Sequence, residues 1–367
     1  MSPATADVAV VGGGPAGLAL AAMAARRGLA VTLLERAPLP HDKACGEGVM
    51  RPGLEVLDRL GVLGQLPSGD SSAIRGIRYV QEDGSALEGA LPGTGGLAIR
   101  RTALSRALLD AARAAGVEVR DRTSLRTHRR TREAMVLETD AGELSARVLV
   151  AADGLHSPLR RAEGLEVPAR GRRRFGLRQH FVAAPWTDRV EVHLSRDAEA
   201  YVTPCGSSRV GVAFLWSDGR LEERATIATL LARFPLLAGR LSSAEPDSDP
   251  RGAGPFLQRA RRWVAPRFAL LGDAGGYVDA ITGEGLSVGL VCAEALAACL
   301  PDAVRREGDV RAFAPYVETA RREFRKYAWT ARAVLGLARR PGLRRGVVTT
   351  LAHRPAAFEW LLARTVG

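Results

Sequence analysis

The chain has 367 residues, 46% of them hydrophobic and 25% charged, and its formal net charge of +12 is carried almost wholly by arginine, with Lys43 and Lys326 the only lysines. Such a length buries a large core and divides into two units or more, while the lack of a recognition motif or interleaved aromatics excludes a nucleic-acid partner. The four cysteines lack metal-ligand spacing and the six histidines are scattered, so neither a metal site nor a disulfide framework is expected.

The first residues carry no basic n-region and pass into a strand at once, which predicts no signal peptide and a cytoplasmic protein. Asp7 to Arg36 then forms one phosphate-binding pattern: an apolar strand (Val8 to Val11), the turn Gly12-Gly13-Gly14-Pro15-Ala16-Gly17, an alanine-rich helix, a second strand (Ala30 to Leu34) and Glu35-Arg36. Gly12 permits the tight turn, Gly14 lets backbone approach a pyrophosphate, Gly17 lets helix pack on strand, and the helix N-terminus offers free N–H groups. Glu35 falls near the position, roughly 20 residues past the turn, where an acid accepts from a ribose hydroxyl, and a carboxylate there disfavours a 2′-phosphate. The predicted ligand is the ADP half of FAD or NAD.

Next comes a glycine-bearing loop, Cys45-Gly46-Glu47-Gly48 with Met50-Arg51-Pro52-Gly53, before a helix from Gly53 to Leu60. Arg75 to Val80 and Ser85 to Leu91 flank Glu82-Asp83-Gly84 as a hairpin. Val148 to Gly154 is an apolar strand ending in Asp153-Gly154, and Phe268 to Asp273 is another ending in Gly272-Asp273. Each places a carboxylate at the C-terminal end of a strand, the edge where doubly wound sheets bind ligands.

Between them Arg170, Arg172, Arg173 and Arg174 read as a solvated charge run. Phe175 to Ala183, Val190 to Ser195, Ala198 to Thr203 and Arg209 to Trp216 alternate as an antiparallel sheet, the expected substrate floor. Arg178 and His180, two apart, share one of its faces. With His193 and Tyr201 they are the candidates for catalysis, because a histidine titrating near pH ~6.5 can deprotonate a phenol.

Asp279-Ala280-Ile281-Thr282-Gly283-Glu284-Gly285 leads into an apolar helix from Leu286 to Leu300. Glu294 interrupts that helix, which falls short of the roughly 18 residues of a membrane span. Beyond Phe313 apolar and arginine-rich helices predict a cap packed on the rest, with peripheral membrane contact as the other reading.

Together the Gly12–Gly17 turn, the Asp153-Gly154 strand and the Gly272-Asp273 strand resemble the three-part FAD fingerprint of the group A flavoprotein monooxygenases and the related geranylgeranyl reductases, over residues 6 to 300. The resemblance implies an α/β fold: a Rossmann-like three-layer FAD domain (1–73, 97–165 and 265–300), an antiparallel-sheet substrate domain (74–96 and 166–264) and a helical C-terminal region (301–367). It implies that Gly12, Gly14, Pro15, Ala16, Gly17, Glu35 and Arg36 hold the ADP moiety and that Arg101 lies near the pyrophosphate. Asp153 and Gly154 would lie beside the cofactor, Asp273 with Gly272 would accept from a ribityl hydroxyl, and Cys45 and Gly46 would lie near the flavin ring. Gly283, Glu284 and Gly285 would approach the ring at a helix N-terminus, whose dipole favours the negative charge of reduced flavin. The chain departs from the family at Ala280, where members usually carry proline.

No second nucleotide-binding unit is visible, so NADH or NADPH is expected to dock transiently. The function expected first is an NAD(P)H- and O2-using monooxygenase that hydroxylates a small aromatic or polyketide-like molecule through a flavin C4a-hydroperoxide. Second comes a geranylgeranyl reductase-like enzyme reducing C=C bonds of an isoprenoid or lipid. It is placed second because Ala200-Tyr201-Val202-Thr203-Pro204 lacks the aromatic residues those reductases usually carry before the proline. A halogenase, whose Trp-x-Trp-x-Ile-Pro motif is missing, and a non-enzymatic flavin carrier are more distant.

Overall fold

The computed structural model describes residues 5–168, 171–220 and 224–365. Alternation and turn chemistry build, among the described residues, two large sheets that meet at one crevice and two small three-stranded ones. In the first, parallel strands run in the order Phe268–Leu270, Gly142–Ala151, Ala6–Val11, Val31–Leu34 and Glu118–Arg120. The strands are apolar on both faces because both are covered. Helices Pro15–Ala25, Arg101–Ala114 and Gly285–Arg305 cover one face through Leu18, Leu108, Leu290 and Leu296. The antiparallel strands Leu125–Arg130 and Met135–Thr139 belong to the opposite layer, where Met135, Leu137, Leu149 and Phe268 are buried together.

The second sheet has seven strands rather than the four read from the alternation. Arg251–Ala253 extends one edge, and the hairpin Gly76–Val80/Ala86–Ala90 extends the other by pairing in parallel with Arg189–Leu194. Local pattern cannot reveal such a joint, because its partners lie more than a hundred residues apart. Period two decides what each face meets. Val202, Val212 and Phe214 pack beneath the helices Ile227–Leu231 and Pro235–Arg240, while Tyr201 and Leu215 face Val278, Ile281 and Tyr327.

One further expectation changes. The helix predicted to fall short of a membrane span is 21 residues long, Gly285–Arg305, and is apolar enough for one by length and composition. It is mostly buried, with Cys292 and Cys299 each 6% exposed, and serves as a core helix. At the C-terminus, Ala314–Ala338 packs on that helix, and Pro341–Ala352 and Pro355–Thr365 fold over the hairpin edge, where Phe358 meets Tyr79 edge-on.

Candidate functional site

Register brings four strand ends together. Val11 pairs with Leu34 and Ala151, and Ala151 pairs with Leu270. The Gly12 turn, Glu35, Asp153 and Asp273 therefore leave the sheet at one edge. They also touch. Gly12, at φ 117°, is so close to the second segment that a Cβ would stand 2.2 Å from Ala152 O. A Cβ on Gly17 would stand 2.0 Å from Gly12 O, and one on Gly272 would meet Ala16 Cβ at 3.5 Å. Pro15 opens the helix, where its missing N–H costs nothing. Over this turn lies the Arg101 guanidinium, whose Nη2 is the nearest group to a Cβ placed on Gly14, at 3.9 Å.

The polar groups on this crevice are partly unmatched. Glu35 accepts from Gly13 N at 2.7 Å and Ala37 N at 3.0 Å, and Arg36 beside it is exposed. Asp153 Oδ2 accepts from Leu159 N at 3.1 Å, but its Oδ1 and Arg101 Nε are buried without a partner among the described residues. Burial pushes Asp273 up to about 6, against the pull of Arg101 and Lys43. His41 has both ring nitrogens buried and unpartnered, and burial with Lys43 lowers it to about 4, leaving a neutral ring with one donor and one acceptor open. Carboxylates for sugar hydroxyls, a guanidinium for pyrophosphate and a fan of helix N–H groups fit a flavin dinucleotide. His41 and Lys43 were not read from the sequence; the signal was a rare lysine soon after the ribose acid.

The Cys45–Gly48 loop is tied to the second sheet. Glu47 sits at φ 62°, a conformation costing a non-glycine residue about 1–3 kcal/mol. Its carboxylate offsets that strain by accepting from Arg101 N at 2.8 Å and contacting His180 Nε2 at 2.8 Å. His180 Nδ1 lies 3.1 Å from both Ser248 Oγ and Arg178 Nη1, and Arg178 donates to Asp42 and to Lys43 O. Arg178 and His180 thus share a face as expected, but they are 2% and 1% exposed and touch this loop rather than an open cavity. Glu47, His180 and Cys205 bring ligand-type atoms within 4.8 Å of one another, and hydrogen bonds already occupy them. Sequence reasoning passed over Glu47, a charge among glycines. Buried His193 pairs with buried Glu191 at 3.3 Å, and the half-buried Trp186 donates to the same carboxylate.

Cys45 is half-buried, whereas the other three cysteines are buried. Burial raises its thiol pKa, so it stays protonated, and Arg101 is the charge that most opposes that shift. Gly46 is exposed beside it.

The Asp279–Gly285 loop lacks the proline the family usually carries, and side chains hold it instead. Arg174 donates to Asp279 at 2.7 Å and to Glu199 at 2.8 Å, with all three buried. Tyr201 donates to Ile281 O at 2.9 Å, and Tyr327 OH pairs with Asp279. Tyr201 is therefore a strut for the loop in this structure. Arg174 departs from the solvated charge run: Arg172 and Arg173 are exposed, Arg174 begins a strand facing inward, and Arg170 lies outside the described residues. Gly283, at φ 68°, precedes Glu284 and then Gly285, the first residue of the core helix.

Burial pushes Glu284 up to about 7 from an ordinary 4.5. The carboxyl is easier to protonate folded than unfolded, so its contribution to stability is full below pH 4.5 and is lost as pH rises through about 7. Glu284→Gln removes that loss. Its melting temperature relative to the parent is expected to climb between about pH 5 and 8, and a constant offset across that range contradicts the buried carboxyl.

Residues 5–330 match the FAD binding domain family. The chain is 28% identical to a digeranylgeranylglycerophospholipid reductase of Methanopyrus kandleri, over 84% of this chain and 80% of that protein. It is 29% identical to a menaquinone reductase of Mycobacterium tuberculosis, over 78% and 74%. A halogenase solved with FAD superposes with a TM-score of 0.79 at 18% identity, covering 91% of this chain and 76% of that one, which shows a shared fold.

Proposed function

The chain belongs to the FAD binding domain family and is an FAD-dependent oxidoreductase, and from that premise we propose that it reduces a carbon–carbon double bond of an apolar, isoprenoid- or quinone-like substrate, with NADH or NADPH as electron donor. The observation that carries this reading is the protonated, half-buried Cys45 thiol at the cofactor crevice. FAD, once bound and reduced by the nicotinamide, would supply a hydride equivalent to one olefinic carbon. Cys45 gives its proton to the other carbon, and the thiolate regains a proton from water beside exposed Gly46. Glu47, His180 and Arg178 position the loop that carries the thiol.

This order puts first the reduction that the sequence alone placed second. A phenol hydroxylase of the expected kind needs a free base, and both nitrogens of His180 are engaged. The reductase names of the two relatives also support an apolar alkene. Anaerobic enzyme reduced with NADPH is expected to be reoxidised by a geranylgeranyl lipid or by menaquinone, with two hydrogens gained on carbon of the isoprenoid chain. If only oxygen reoxidises it, with an oxygenated product, hydroxylation is the reaction.

A lipid-like substrate also fits a cytoplasmic protein that docks on an anionic lipid surface. Trp329, Leu343 and Trp360 are 67%, 53% and 55% exposed on three successive helices, and Arg364 stacks over Trp360 at 4.2 Å. Aromatic side chains with arginines beside them match anionic headgroups above an apolar layer. Co-sedimentation with anionic vesicles is expected for the parent and much reduced for Trp329→Asp/Trp360→Asp; equal binding of both contradicts this contact.

A further inference from the structure

Arg174, paired with Asp279 of the Asp279–Gly285 loop, converges with Arg172, Arg196, Arg220 and Arg339 on a cavity of about 100 Å³. Two of these cations are already neutralised: Arg174 by Glu199 and Asp279, and Arg220 by Asp197 at 3.6 Å. Arg172, Arg196 and Arg339 make no ion pair with a described carboxylate, and the five guanidinium groups exceed the three carboxylates Asp197, Glu199 and Asp279 by two positive charges. Gathering like charges in a partly enclosed space is unfavourable unless a counter-ion joins them. At Arg339 burial and then the Arg174 guanidinium lower the pKa, with Arg172 in the same direction, and the net shift is downward although Asp279 and Glu199 oppose it.

The two carbonyls that would repel an anion here, Ser195 O and Ala338 O, are turned to use by Arg344 Nη1, which donates to them at 3.2 Å and 3.4 Å. Ser217 also lines the wall, with its hydroxyl 3.5 Å from Arg174. A single carboxylate would leave half of the surplus unmatched. Planar guanidinium forks suit phosphate oxygens in pairs, and a phosphate or diphosphate carries charge of the required size.

We propose that this cavity binds a phosphate or diphosphate group, carried by the nicotinamide reductant or by a phosphate-bearing substrate. The site stands whichever reaction the flavin performs. Because Arg174 joins the cavity wall to Asp279, an anion seated there lies one ion pair from the flavin-facing loop.

The test is calorimetric titration of flavin-loaded protein with inorganic pyrophosphate. Saturable one-site binding is expected, weakened at least about ten-fold in Arg172→Ala/Arg339→Ala by loss of two charge-assisted contacts. Both residues are exposed, so the fold should persist, and a melting curve checks it. A control of equal charge change away from the cavity, Arg51→Ala/Arg305→Ala, should keep the parent affinity. Absence of saturable heat, or equal weakening in the control, overturns the proposal. Pyrophosphate competing with both NADH and NADPH in flavin reduction assigns the site to the reductant's diphosphate. Competition with NADPH alone assigns it to the 2′-phosphate. Tight binding without competition assigns it to a phosphate-bearing substrate.

Discussion

Gly17→Ala is expected to yield a colourless protein that takes up FAD at least about a hundred-fold more weakly, a change of about 2.7 kcal/mol. The cause is backbone against side chain. The new Cβ would lie 2.0 Å from Gly12 O and 3.2 Å from Ala152 Cβ, so no rotamer change relieves it. Helix Pro15–Ala25 must retreat from the strand, taking with it the N–H groups that the pyrophosphate needs. Overpacking of this kind typically costs about 1–3 kcal/mol, so the melting temperature falls as well.

Gly14→Ala separates folding from binding. Its Cβ meets nothing closer than Arg101 Nη2 at 3.9 Å, so the flavin-free protein should melt like the parent while FAD binding weakens. Equilibrium flavin titration and melting curves of both variants check this pair. Parent-like FAD affinity in Gly14→Ala would mean that the pyrophosphate does not lie against this turn.

Cys45→Ala carries the second large effect. Loss of a positioned acid is worth about a hundred-fold or more in rate, and the loss should appear in one half-reaction only. Flavin reduction by NADPH needs no thiol and should keep its parent rate; reoxidation by the alkene should slow by about that factor. FAD content should hold, because the Glu47 carboxylate and His180 anchor the loop across the crevice and the thiol adds only a local contact from Glu47 N at 3.3 Å. Stopped-flow absorbance of the two half-reactions decides it, and unchanged alkene reduction removes Cys45 from the chemistry.

The cofactor crevice was legible in the sequence because each of its parts is local. A strand end, a glycine turn and an acid are adjacent in the chain, and parallel register then places all of them on one edge. Side-chain partners across the crevice were not legible. His180 and Arg178 looked available on an alternating strand, yet they are consumed by Glu47 and Asp42, more than a hundred residues earlier. Arg174 was hidden in a run of arginines because its meaning depends on Glu199 and Asp279 closing around it. Removing such a partner from a buried pair costs about 3–5 kcal/mol, so Arg174 is no solvated charge. The sheet was undercounted for the same reason, since its hairpin edge joins only through a long-range parallel pair.

The most direct test of the account is the mass of the product formed by a single anaerobic turnover in D2O, with FAD-loaded enzyme, NADPH and menaquinone or a geranylgeranyl lipid. The account predicts, after any quinol is reoxidised, a product whose isoprenoid chain is heavier by two carbon-bound hydrogens, at least one of them deuterium delivered from the exchangeable thiol. A product that forms only in air and gains one oxygen contradicts it.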